Sequence, residues 1–110
     1  MKKINVAVTG CMGRMGQQII KSIRSNKNFK IVALTENKII NKKINGIKIN
    51  LNSENVLKKS QLIIDFTTPK CTIDVLKIAV KLKKKIVIGT TGFSRNEEIL
   101  GLFVIIISPS

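Results

Sequence analysis

Three glycines spaced three apart, Gly10, Gly13 and Gly16, directly follow the apolar run Val6-Ala7-Val8. After them Met15, Ile19, Ile20 and Ile23 recur at helical spacing. The order strand, glycine turn, helix constrains the chain more than any other feature. A strand ends, the backbone turns sharply, and the first amides of a new helix, which have no intrahelical acceptor, point at an anion. Gly10 supplies the tight turn. Gly13 and Gly16 remove side chains where a pyrophosphate, or the strand behind the helix, comes close. The spacing G-x-x-G-x-x-G departs from the common G-x-G-x-x-G, with Met12 at the place of its second glycine. The context supports a phosphate loop: a strand before, a helix after, and Glu36 about 20 positions past Gly16, at the end of the next apolar run.

Further along, the same alternation continues. Phe29 to Thr35 is a second apolar strand that delivers Glu36 to its carboxyl end, where a carboxylate can accept hydrogen bonds from ribose hydroxyls. Asn37, Lys38, Lys42 and Lys43 follow, and a lysine here could meet a 2′-phosphate. Gly46 to Leu51 alternates as a short strand, and Ser53 caps a short helix over 54–59. Gln61 to Phe66 reads as a buried parallel strand, and Pro69 suits the opening of a helix that runs from Cys71 to Lys83. Ile86-Val87-Ile88 is a strand that stops at Gly89-Thr90-Thr91-Gly92-Phe93. Ser94-Arg95-Asn96-Glu97 has the form of a capping box and predicts a short helix, and Leu102 to Ile107 is read as another buried strand. The pattern is α/β: a Rossmann-type, doubly wound, mostly parallel sheet with helices on both faces, in a single domain over 1–110. The strand-end loops, including Asp65 to Pro69 and Gly89 to Gly92, then collect at one edge, where such sheets hold their ligands.

Composition excludes several classes. With 110 residues, 44% of them hydrophobic, the chain is globular and large enough for one core. The net charge of +14 invites nucleic acid. However, the lysines are spread along the whole chain, and four phenylalanines are the only aromatics available to stack bases, so no specific nucleic-acid partner is expected. Cys11 and Cys71 have no C-x-x-C spacing and the chain has no histidine, so no metal site is expected. The apolar start is broken by Asn5 and Thr9-Gly10, and Ile99 to Ile107 is too short to cross a bilayer. A cytoplasmic chain with no membrane partner is therefore expected.

Gly10-Cys11-Met12-Gly13-Arg14-Met15-Gly16, Ile64-Asp65-Phe66-Thr67 with Pro69, and Ile88-Gly89-Thr90-Thr91-Gly92-Phe93 together resemble the N-terminal cofactor domain of the 4-hydroxy-tetrahydrodipicolinate (dihydrodipicolinate) reductases. These are nicotinamide-dependent enzymes of the diaminopimelate route to lysine. The resemblance implies a bound NADH or NADPH and hydride transfer to a cyclic, unsaturated dicarboxylate. Gly10, Cys11, Met12, Gly13, Arg14 and Met15 would hold the pyrophosphate, and Glu36 the adenosine ribose. Asp65, Phe66 and Thr67 would form the crevice wall, and Gly89, Thr90 and Thr91 would line the nicotinamide end.

Three departures qualify this. Asn37 stands where some members carry an arginine for the 2′-phosphate, which leaves both NADH and NADPH open. The segment between Phe93 and the last strand is shorter than in the family. The family's substrate domain, with its His-His-x-x-Lys motif, would lie beyond Ser108-Pro109-Ser110. No catalytic residue is therefore expected within the chain, which should bind dinucleotide but turn over little alone. The dicarboxylate would bind only with the missing domain, and any homo-oligomer would belong to the full-length protein; the oligomeric state itself is left open. Two other readings stay open: another two-domain NAD(P)-dependent dehydrogenase, or a non-catalytic nucleotide- or nucleic-acid-binding module.

Overall fold

The computed structural model describes residues 2–93 and 99–108. Among the described residues, seven strands form one sheet in the order β3-β4-β2-β1-β5-β6-β7. They are β1 (Ile4–Thr9), β2 (Phe29–Glu36), β3 (Lys43–Ile44), β4 (Ile47–Leu51), β5 (Leu62–Asp65), β6 (Lys85–Phe93) and β7 (Ile99–Ile107). Among the described residues, three helices connect them: α1 (Arg14–Arg24), α2 (Glu54–Leu57) and α3 (Pro69–Leu82). β1 pairs in parallel with β2 on one side and β5 on the other, and β2–β4 and β5–β6 are also parallel. The chain therefore winds outward from β1 in one direction and then in the other, and the switch point lies between the carboxyl ends of β1 and β5.

Side-chain alternation along the strands builds a core on each face of the sheet. Val6, Val8, Leu34 and Ile49 pack with Ile20 and Ile23 of α1. Ala7, Ala33, Ile63 and Ile86 pack with Leu57 of α2 and with Val75 and Ala79 of α3. Lys21 and Arg24 lie in the last turn of α1, where cations oppose the helix dipole. Thr68 caps α3 by accepting from the Cys71 N–H, and Pro69 opens the helix. None of the helices among the described residues is long and apolar enough to cross a membrane.

The far end of the sheet corrects the sequence reading in three respects. β6 does not stop at Ile88 but continues through Gly89, Thr90 and Thr91 to Phe93, paired with β7 along its length. β7 begins at Ile99, so residues 99–101 are strand where a helix was expected; the rest of that expected helix, 94–98, lies outside the described residues. Finally, β7 runs antiparallel to β6, and Ile106 is exposed rather than buried. The reason for the direction is length. A parallel return needs a crossover of about a dozen residues, and only residues 94–98 separate the two strands, which suits a hairpin. A second hairpin, β3–β4, turns on Asn45 (φ 54°) and Gly46 (φ 81°), the left-handed pair that tight hairpins favour.

The switch point is fastened by one buried carboxylate. Asp65, at the end of β5, has no exposed surface. Its Oδ1 accepts from the Thr9 hydroxyl at the end of β1 and from Thr67 Oγ1 at 2.8 Å, and its Oδ2 accepts from Thr72 Oγ1 in α3 at 2.5 Å. One side chain thus ties two strand ends, a loop and a helix. Asp65→Ala would strand the buried Thr9 hydroxyl, so we expect a loss of about 1–3 kcal/mol in stability. Urea unfolding checks this; an unchanged midpoint would show that the hydroxyls find other partners.

Candidate functional site

The turn after β1 is assembled from backbone. Gly10 has φ +74°, and a Cβ there would lie 2.5 Å from the Phe66 carbonyl oxygen. The Gly10 and Cys11 amides donate to the Thr35 carbonyl at 3.0 and 3.3 Å, and the Gly13 amide donates to the Gly10 carbonyl at 3.2 Å. Gly13 is then the N-cap of α1, with no side chain to satisfy the helix end. The amides of Arg14, Met15 and Gly16, the first three of the helix, are the donors that helical geometry leaves without an intrahelical acceptor. No acidic residue lies in this first turn. The positive end of the helix dipole therefore faces outward beside the exposed Arg14, an arrangement that suits a phosphate.

The glycines divide the work. A Cβ on Gly16 would lie 2.2 Å from the Gly10 carbonyl oxygen and 2.9 Å from Cys11 Cα, so Gly16 lets the helix sit against the turn. A Cβ on Gly13 would meet only the Gly10 carbonyl, at 3.5 Å, an ordinary contact. Gly13 is exposed, and its missing side chain leaves open space over the helix end, as a cradle for a diphosphate requires.

Glu36 stands beside this turn, as expected from its place at the end of β2. Its Oε2 accepts the Met12 amide at 2.7 Å, so the carboxylate is joined directly to the loop. Further lone pairs remain available to hydroxyl donors. Gln17 Nε2, not singled out in the sequence, donates to the Met12 carbonyl at 2.9 Å and fixes the loop from the helix side. Cys11 is fully buried and contributes backbone alone. Burial, aided by the Glu36 carboxylate, pushes its thiol up to about 11.

Across the switch point, Phe66 forms the facing wall. Its amide donates to the Thr9 carbonyl at 3.1 Å. Its ring lies over Gly89, where a Cβ would fall 2.1 Å from the ring edge. Phe66 thus lies against both Gly10 and Gly89, so the glycine turn, the segment after β5 and β6 meet at this point. Thr67 is half-buried, its hydroxyl turned to Asp65. Two expected placements change. The Asp65 carboxylate is taken up by three hydroxyls and presents no surface to a ligand. Thr90 and Thr91 are strand residues in register with Phe103 and Leu102 rather than members of a free loop. Sequence alone does not single out the threonines that hold this geometry, Thr9, Thr35 and Thr72. Their signal in the sequence is weak: hydroxyls at the ends of apolar runs.

Residues 4–100 match the family model described as dihydrodipicolinate reductase, N-terminus. The chain belongs to the dihydrodipicolinate reductase family. It is 66% identical over 100 residues to the 4-hydroxy-tetrahydrodipicolinate reductase of Pelagibacter ubique, covering 91% of this chain and 39% of that protein. It is 41% identical over 99 residues to the enzyme of the same name from a Wolbachia of Drosophila simulans, covering 82% and 38%. Among solved structures, it superposes on a dipicolinate-bound dihydrodipicolinate reductase from Paenisporosarcina sp. TG-14 with a TM-score of 0.68 and 27% identity, over 86% of this chain and 40% of that one. The chain thus spans about two fifths of the length of the relatives it matches. The fold is shared more widely: a D-galactose-1-dehydrogenase from Rhizobium etli aligns with a TM-score of 0.64 at 22% identity, over 78% of this chain and 28% of that one. Within the family, the matched region contains both the glycine turn and the Phe66 wall.

The folded state favours a protonated Cys11, whereas the unfolded chain releases that proton near 9.0. Stability should therefore fall as pH rises from about 9 to about 11. Urea midpoints across that window should drop more steeply for the wild type than for Cys11→Ala; parallel slopes would show that the thiol does not contribute.

Proposed function

We propose that this chain is the dinucleotide-binding part of a 4-hydroxy-tetrahydrodipicolinate reductase, serving lysine biosynthesis by the diaminopimelate route. The observation that carries the reading is the exposed helix end at Gly13, which no side chain caps, next to the Met12 amide held by Glu36, in a chain of this family. The residues present fit a nicotinamide dinucleotide. The turn from Gly10 to Met15 holds the diphosphate through backbone amides, with Arg14 adding charge. Glu36 accepts from the adenosine ribose hydroxyls while keeping the Met12 amide. Phe66, Thr67 and the Gly89–Thr91 stretch border the path toward the nicotinamide.

When bound, the reduced nicotinamide supplies a hydride, and the chain's own residues bind and orient the cofactor. The dipicolinate in the Paenisporosarcina relative supports a small cyclic dicarboxylate as the acceptor. As part of the same proposal, the protein works in the cytoplasm, where its two free cysteines remain reduced.

Isothermal titration with NADH and NADPH tests the reading. At least one should bind with a dissociation constant of about a millimolar or tighter. Gly13→Val should weaken that binding by more than about tenfold while leaving the unfolding midpoint little changed, because the added side chain enters open space rather than the core. Absence of binding by both nucleotides, or full affinity in the variant, would overturn the assignment.

A further inference from the structure

A trough runs down the outer flank of α1 from the glycine turn to the β3–β4 hairpin. One part, of about 330 Å³, is lined by Met12, Gln17, Lys21, Arg24, Lys42 and Lys43, with Ile20, Ile44 and Asn45 completing it. A second, of about 240 Å³, shares Met12, Gln17 and Lys21 and reaches Arg14. Five cations, Arg14, Lys21, Arg24, Lys42 and Lys43, therefore border these two adjoining parts, and among the described residues no carboxylate lines either. Among the described residues, the one ion pair is Lys81 with Glu54, so none of the five is neutralised in that way.

The trough begins where the proposed cofactor would place its adenosine ribose. Met12 lines both parts, and its amide is the group held by Glu36. A phosphate on the ribose 2′-oxygen would lie beside the Glu36 carboxylate and be repelled unless cations met it from the other side. Asn37 supplies no charge, and its Nδ2 is directed to Cys71 Sγ at 3.4 Å, toward α3. The trough has the missing charge. Lys43 is held there by the β3–β4 pairing and Lys42 by its carbonyl, which accepts the Ile49 amide at 3.1 Å, and both line the same pocket as Lys21 and Arg24 of α1.

We infer that this trough receives the 2′-phosphate of an adenine dinucleotide and that Lys42 and Lys43 are the residues that let the chain accept NADPH despite Glu36. The inference rests on the dinucleotide reading of the glycine turn and adds a cofactor-selecting site on the α1–β3 flank.

Parallel titrations of the full chain with NADH and NADPH test it. The wild type should bind NADPH at least as tightly as NADH. Lys42→Ala with Lys43→Ala should weaken NADPH by about tenfold and change NADH by less than about twofold, since both residues are exposed and only a phosphomonoester contact is removed. Lys58→Ala with Lys59→Ala, which removes the same charge outside the trough, should leave both affinities within about twofold. Equal effects of the first pair on both nucleotides, or no effect, would overturn the trough while leaving the glycine-turn reading standing. The same loss from the second pair would reduce the effect to bulk charge and also overturn it. If the wild type bound neither nucleotide, the glycine-turn reading would fail and the trough assignment with it.

Discussion

Two backbone approaches leave no room for a Cβ: Gly10 against the Phe66 carbonyl and Gly16 against the Gly10 carbonyl. The rest of the site depends on them. The first brings the end of β1 against the segment that follows β5, the second brings α1 down onto the turn, and together they fix the uncapped end of the helix against that turn. A methyl group at either position would require backbone to move. The Asp65 cluster stabilises the same junction from beneath by exchanging water for three hydroxyl donors at a buried carboxylate. Close approach sets the direction of the amides, and the buried hydrogen bonds keep it.

Charge then distinguishes the surroundings of the turn. A chain of net charge +14 has cations over much of its surface, so their presence alone carries little information. Their placement carries more. The first turn of α1 has no acid, Arg14 stands beside it, and the concave flank below holds four further cations. The carboxylate in this neighbourhood, Glu36, is committed to the Met12 amide. The arrangement suits a ligand with several phosphates and at least one pair of hydroxyls, which describes a dinucleotide better than a uniform polyanion.

Much of this was legible in the sequence because its causes are local. The strand, the glycine turn, α1, β2 and the position of Glu36 follow from apolar periodicity and turn chemistry within a few tens of residues, and the structure reproduces them. Contacts distant in sequence were not legible. An acid at the end of β5 reads as a crevice residue until Thr9, 56 positions away, claims its Oδ1. Gly89-Thr90-Thr91-Gly92 reads as a loop because of its glycines, yet pairing with β7 draws it into a strand. The direction of β7 cannot be read from an apolar run, although the shortness of 94–98 contains the answer. The β3–β4 hairpin had a clear local signal in Asn45-Gly46, and its consequence, two lysines lining one pocket with Lys21 and Arg24 of α1, needed the packed structure.

In the proposed function, main-chain amides at the start of α1 hold the diphosphate of a nicotinamide dinucleotide. Amide chemical shifts in a ¹⁵N-labelled chain titrated with NADH and NADPH test it most directly. The largest, saturable shifts should fall at Arg14, Met15 and Gly16, with Met12 moving as Glu36 engages the ribose. Saturable binding whose shifts fell elsewhere, with these four amides unmoved, would contradict it.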